Sequence, residues 1–258
     1  MVVAASSTGG WPGGKLFGLI LLCMVFARTA AMTFNRITDW EIDKRNPRTA
    51  GRHKLLGRTA AIATCLVSAL LFLATTFFIN RICFLLSPVA LGIIFLYSLT
   101  KRFTHAAQFF LGLALSVSPV GAWLAVTGSF AWPPIILAAG VLCWVAGFDM
   151  IYATQDVEAD RRESLRSMVV WLGVPSALKL AGWLHLLMLI GLIGFGLSAH
   201  LGMIYFLGLI PVPILLIYEH RIARTLDLGK INKAFFETNA VIGLLFVVIL
   251  VADRIWRF

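Results

Sequence analysis

The chain has 258 residues, 60% of them hydrophobic and only 13% charged, with a formal net charge of +10 and a mean hydropathy of +0.90. Soluble domains carry about 25% charged residues, so this composition excludes an ordinary soluble domain and points to a chain embedded in lipid. The positive excess is read as topology plus contact with anionic headgroups, and nucleic acid is not expected as a partner.

Taken in chain order, apolar runs close to the ~20 residues that cross a bilayer predict spans near 16–34, 59–79, 82–99, 107–127, 133–152, 174–198, 201–218 and 236–252. The fold class is all-α: a polytopic transmembrane bundle of about eight spans, with residues 1–258 forming one membrane domain. At the start, Lys15, the run Leu16 to Phe26 and the small residues around Ala30 imitate a secretory signal. Cleavage there would remove Arg28, so the run is read as the first span. With eight spans, the connections after the first, third, fifth and seventh share one side. They hold sixteen Lys and Arg residues against four opposite, which makes that side cytoplasmic. Cys23, Cys65, Cys83 and Cys143 each sit alone in an apolar run and read as small buried hydrophobes. The five histidines are scattered along the chain, and no zinc cluster is expected from them.

The acidic residues are distributed quite differently. Asp39, Glu41, Asp43, Asp149, Asp156, Glu158, Asp160 and Glu163 make up eight of the twelve, gathered at the cytoplasmic ends of spans one and five. A carboxylate at the bilayer centre costs roughly 2.5–3.5 kcal/mol on insertion scales, so a chain this apolar that concentrates its acids is expected to use them. Asn35, Asp39 and Asp43 recur every four residues and share one helical face. An oxygen-rich face of that kind suits Mg²⁺, which completes its shell with water and phosphate oxygens. Arg28, seven residues before Asn35, falls on nearly the same face inside the first span. It is read either as the partner of an acid on a neighbouring helix or as a contact for an anionic ligand. Ion pairing with basic neighbours is the reading preferred for Glu41, Glu158 and Glu163.

These residues resemble the UbiA superfamily of intramembrane aromatic prenyltransferases. Asn35, Asp39 and Asp43 match its Asn-x-x-x-Asp-x-x-x-Asp motif, and Asp156 and Asp160 match its Asp-x-x-x-Asp motif. Asp149 stands at an earlier acidic position found in many members, and Tyr97 with Lys101 matches a Tyr-x-x-x-Lys element. The longer strings around Asn35–Arg52 and Gln155–Arg162 are similar to the 4-hydroxybenzoate polyprenyltransferase-like branch, including menaquinone-pathway members. Family members usually have nine spans, and this chain is expected to lack the first. Ser164 also stands where relatives often carry Gly, a change expected to stiffen the loop after the second motif.

The resemblance implies a site at the cytoplasmic end of a central cavity, in the bacterial inner (plasma) membrane. There Mg²⁺ held by Asn35, Asp39, Asp43, Asp156 and Asp160 would bind a polyprenyl diphosphate and stabilise its departure. The prenyl group would pass to an aromatic acid acceptor, 4-hydroxybenzoate or a dihydroxynaphthoate, in ubiquinone or menaquinone synthesis. Tyr97 would face the allylic cation. Lys101, Arg102, Arg45, Arg48 and Arg161 are candidate diphosphate contacts by charge and position, and Asp149 is a candidate for polarising the acceptor or tuning the metals. His105 and Gln108 are placed near the acceptor by location alone. A haem O synthase-like farnesyl transfer is the nearest rival. A cation- or proton-coupled transporter is the rival from another class, but it would place its acids near the midplane on broken helices.

Overall fold

The computed structural model of the chain describes residues 1–45, 51 and 56–256. Among these residues, eight segments are long and apolar enough to cross a membrane. They are α2 (Gly14–Thr38), α4 (Arg58–Ile79), α5 (Arg81–Thr100), α6 (Ala107–Thr127), α7 (Trp132–Ala153), α10 (Val174–Ser198), the pair α11 (Met203–Gly208) and α12 (Pro211–Ala223), and α13 (Leu228–Ile255). Four short helices complete the described fold: α1 (Val2–Ser7), α3 (Trp40–Arg45), α8 (Val157–Arg162) and α9 (Met168–Leu172). No strand occurs among the described residues.

The expected spans are present, with two shifts at the carboxyl-terminal end. Pro211 lacks an amide hydrogen, and the seventh span is accordingly split into α11 and α12. The eighth helix begins at Leu228, ahead of its apolar stretch. Elsewhere the turns are set by local chemistry. The Asn80 side chain caps α5 by accepting from Cys83 N at 2.8 Å, and its amide donates to the Leu124 carbonyl at 2.9 Å, tying this corner to α6. Gly128 closes α6 in the left-handed conformation, φ 67°.

Packing divides the spans into two sets of four. In the first, α2 lies against α4, α5 and α6. In the second, α7 packs on α10, while α11 and α12 pack on α13; α6 and α7 join the sets. With lipid as solvent, helices associate through small residues that let backbones approach. A Cβ built on Gly112 of α6 would lie 2.5 Å from the Leu142 carbonyl oxygen of α7. Gly140 of α7 meets Gly191 of α10 in the same way. The second set is filled by Met188, Phe195, Tyr205 and Ile242 towards one end and by Ala146, Met150, Ala177 and Ala181 towards the other.

The histidines are less scattered than the sequence implied. His185 on α10 and His220 on α12 approach to 2.9 Å between Nδ1 and Nε2, brought together by helix packing across 35 residues of chain. Beside them Trp144 Nε1 donates to Asn239 Oδ1 at 2.8 Å, and Asn239 donates to Glu219 at 3.1 Å. This polar chain fastens α7, α12 and α13.

Candidate active site

The first acidic motif straddles the end of the first span. Helix α2 stops at Thr38, Asp39 turns (φ −94°, ψ 13°), and α3 begins at Trp40. The four-residue ladder nevertheless survives the turn: Asp39 N donates to Asn35 O at 2.9 Å and Asp43 N to Asp39 O at 2.7 Å. Asn35, Asp39 and Asp43 therefore keep the spacing read from the sequence. Asn35 Nδ2 donates to Asp39 Oδ2 at 3.2 Å, so this amide orients the central carboxylate.

The second motif follows α7. Asp156 immediately precedes α8, and Asp160 N donates to Asp156 O at 2.7 Å, closing one turn between the two acids. Asp160 is buried, at 5% exposure. Lys101, just past the end of α5, sits on it with Nζ 3.1 and 3.3 Å from its two oxygens. The next residue, Arg102, places Nη2 at 3.6 Å from Asp39 Oδ1 and donates to the Thr38 carbonyl. Two adjacent cations thus reach one carboxylate in each motif. A further tie joins the two acidic loops, Arg45 Nη2 to Glu163 Oε2 at 2.8 Å.

Charge is crowded here. Burial, and then the neighbouring Asp43, push the Asp39 carboxyl up to about 6, although Arg102 and Lys101 oppose the shift. Burial likewise raises Asp160, against the pull of Lys101. Burial by itself would lower Lys101, but the carboxylates of Asp160, Asp149 and Asp156 outweigh it and raise its pKa, so the ammonium stays charged.

Arg166, together with His105 and Gln108, which the sequence placed near the acceptor by location, holds this arrangement. Arg166 N donates to Lys101 O at 2.7 Å and Arg166 Nη1 to Phe103 O at 2.8 Å. His105 Nδ1 lies 3.4 Å from the Ser167 carbonyl, and Met168 N donates to the Gln108 side-chain oxygen at 3.2 Å. Segment 101–108 therefore carries the loop that follows Asp160. Gln108 is fully buried and is occupied with the backbone at the start of α9. Nothing in local spacing signals that role. Gln155, in the turn before Asp156, has both side-chain polar atoms buried without a hydrogen bond, which folded proteins seldom tolerate.

The remaining expected residues divide. Asp149, on the last turns of α7, acts electrostatically on Lys101. Tyr97 lies one turn before Lys101 on α5. Arg28 is exposed on α2 and has no acidic partner among the described residues, which removes the ion-pair reading within that set. Arg45 is engaged by Glu163, Arg161 is exposed, and Arg48 lies outside the described residues. The ion-pair reading of the glutamates holds: Glu41 meets Lys44 at 3.2 Å, Glu158 meets Arg162 at 3.6 Å, and Glu163 meets Arg45. Ser164 adopts φ 54°, a left-handed conformation that favours the glycine expected there.

Away from these acids, a cavity of about 340 Å³ opens among α2, α4, α5 and α6, lined by apolar residues that include Cys23, Ala27, Phe72, Ile94, Val117 and Gly121. Ile94 precedes Lys101 by two turns, and Ala27 stands two turns before Asn35, so the cavity lies on the bilayer side of the carboxylates. Met24, Val89 and Phe130 on its rim are exposed, opening it sideways.

A family model described as UbiA prenyltransferase family matches residues 1–248. The chain belongs to that family. Among curated relatives, it is 31% identical over 235 residues to the 4-hydroxybenzoate octaprenyltransferase of Nitrosospira multiformis, covering 90% of this chain and 81% of that one. The corresponding protein of Edwardsiella ictaluri is 31% identical over 249 residues, 95% of this chain and 86% of its own length. Among solved structures, the apo UbiA homolog from Aeropyrum pernix K1 superposes with a TM-score of 0.87 at 26% identity, covering 98% of this chain and 94% of that chain. The Archaeoglobus fulgidus UbiA homolog bound to GPP and Mg²⁺ shares the fold, with a TM-score of 0.71 at 22% identity over 98% of this chain and 92% of its own. The protein is thus a multi-pass membrane prenyltransferase of the UbiA type, and the two acid-bearing loops are the natural place to look for its chemistry.

Proposed function

We propose that the chain transfers a polyprenyl group from a polyprenyl diphosphate to an aromatic acid, with Mg²⁺, at the cytoplasmic face of a bacterial inner membrane. The observation that carries this reading is the Lys101–Arg102 pair, which spans from Asp160 to Asp39, with the apolar cavity beginning two helical turns deeper in the bundle. A donor with a pyrophosphate head and an isoprenoid tail needs that combination of carboxylates, cations and a dry apolar groove.

The donor set fits a hard divalent ion. Asp39, Asp43, Asp156 and Asp160 offer hard oxygen donors of the kind Mg²⁺ takes. Among the described residues no three His, Cys, Asp or Glu side chains gather tightly enough to enclose an ion. Mg²⁺ is commonly held by one or two carboxylates, with substrate phosphates and water supplying the rest. When bound, Mg²⁺ neutralises charge developing on the departing pyrophosphate.

The chain's own side chains do the rest. Lys101 and Arg102 add counter-charge to the pyrophosphate, and Asn35 keeps Asp39 aimed at the site. The cavity walls exclude water while the C–O bond of the donor breaks. Tyr97 presents an electron-rich ring to the resulting allylic cation. Attack by an aromatic carbon of the acceptor forms the new C–C bond, and loss of the ring proton restores aromaticity. Arg28, without an acidic partner among the described residues, supplies counter-charge for the acceptor's carboxylate.

Asp39→Asn or Asp156→Asn is expected to lower prenyl transfer by at least ~100-fold, the scale of losing one electrostatic stabiliser, with an unchanged melting curve in detergent. Membranes in which either variant turned over normally would sink the metal assignment. Offering one polyprenyl diphosphate with 4-hydroxybenzoate, a dihydroxynaphthoate or haem B, and weighing the products by mass, decides the acceptor.

A further inference from the structure

We infer that Lys101 is a placeholder cation. In the ligand-free protein its ammonium covers both oxygens of Asp160, and it must swing to the incoming pyrophosphate before a divalent ion takes its place. The inference rests on the diphosphate–Mg²⁺ reading of the site and specifies the order in which that site fills.

Three observations support it. Lys101 Nζ sits within hydrogen-bonding distance of both Asp160 oxygens, 3.1 and 3.3 Å, and so covers the face of the carboxylate that a metal would need. The charges acting on it come from three acids of the second motif region, Asp160, Asp149 and Asp156, and Asp39 of the first motif feels it as well. The ammonium thus contacts the second motif directly and adds positive charge near the first. Finally, lysine is a compact charge on a flexible four-carbon stem, able to move several ångströms without the backbone following. That backbone is fixed, because the Lys101 carbonyl accepts from Arg166 N at 2.7 Å. Arg102 stands against Asp39 in a looser version of the same arrangement, at 3.6 Å and more exposed.

With Lys101 within hydrogen-bonding distance of both Asp160 oxygens, a second cation on that face meets like charge at close range. A divalent ion arriving alone meets the repulsion of the Lys101 ammonium with no new anion to draw that ammonium away. A divalent ion arriving with pyrophosphate brings that anion along. Metal alone is thus held weakly and metal with diphosphate strongly, and removing the ammonium reverses the first of these.

The test is Mn²⁺ binding to the full chain in detergent, read by electron paramagnetic resonance, with and without inorganic pyrophosphate. Wild type is expected to bind Mn²⁺ at least tenfold more tightly when pyrophosphate is present. Lys101→Met is expected to bind Mn²⁺ alone at least tenfold more tightly than wild type and to lose most of the pyrophosphate gain, while Lys101→Arg behaves as wild type. A cooperatively melting Lys101→Met that binds Mn²⁺ alone no more tightly than wild type overturns the inference. Lys101→Gln is read by the same criterion where Lys101→Met does not fold. If pyrophosphate leaves wild-type Mn²⁺ affinity unchanged, the diphosphate reading is what fails. Tighter Mn²⁺ binding by Lys101→Met would still uphold the placeholder.

Discussion

Ser164 shows how one residue can be read twice. Its position after the second motif marks it in the sequence, and its φ of 54° lies in the left-handed region that favours glycine. An L side chain in that region is strained by about 1–3 kcal/mol, part of which is returned by a stiffer unfolded chain. Ser164→Gly is therefore expected to leave stability unchanged or raise it by up to about 1 kcal/mol. The β-branched Ser164→Val should lose about 1–2 kcal/mol, seen as a lower melting temperature in detergent. Equal melting of the two variants would show that the strain is not there. Lys101 and Asp160 make the opposite case. Both were marked by type and motif, but their contact joins positions 59 residues apart, and no local periodicity encodes it.

At the scale of elements, α7 matters most because it carries Asp149 and leads directly into Asp156. Its seating depends on Gly112 of α6, which leaves no space for a Cβ against the Leu142 carbonyl. Gly112→Ala is expected to destabilise by about 1–3 kcal/mol through overpacking and to lower transfer as α7 shifts, checked by melting and turnover together. The cavity invites a second test. Gly121 lines it and has open space where a side chain would go, so Gly121→Phe fills the groove without a backbone clash. The expected result is a rise of severalfold in KM for long polyprenyl diphosphates and little change for geranyl diphosphate. A uniform loss across chain lengths would place the tail elsewhere.

Across the whole molecule, each acidic motif closes the first span of a four-span set: α2 before α4, α5 and α6, and α7 before α10, α12 and α13. Both then fall on the lysine- and arginine-rich side. Orientation can be checked with cysteines at exposed positions on opposite ends. Glu158→Cys is expected to react with a membrane-impermeant maleimide only after cells are opened, and Trp132→Cys in intact cells. Labelling of Glu158→Cys in intact cells would invert the topology.

The chain by itself determined what depends on near neighbours and on solvent. Eight apolar runs of bilayer length, the bias of positive charge, and the four-residue recurrence of Asn35, Asp39 and Asp43 are local or compositional, and lipid enforces them strongly. The ion-pair roles of Glu41 and Glu158 were legible for the same reason, since their partners lie three and four residues away. Tertiary structure alone decided which cation meets which acid, that Arg45 is taken by Glu163, that Gln108 holds the backbone at Met168, and that His185 meets His220. Those pairings are set by how helices pack through small residues at long sequence separation, and packing leaves no periodic trace in the chain.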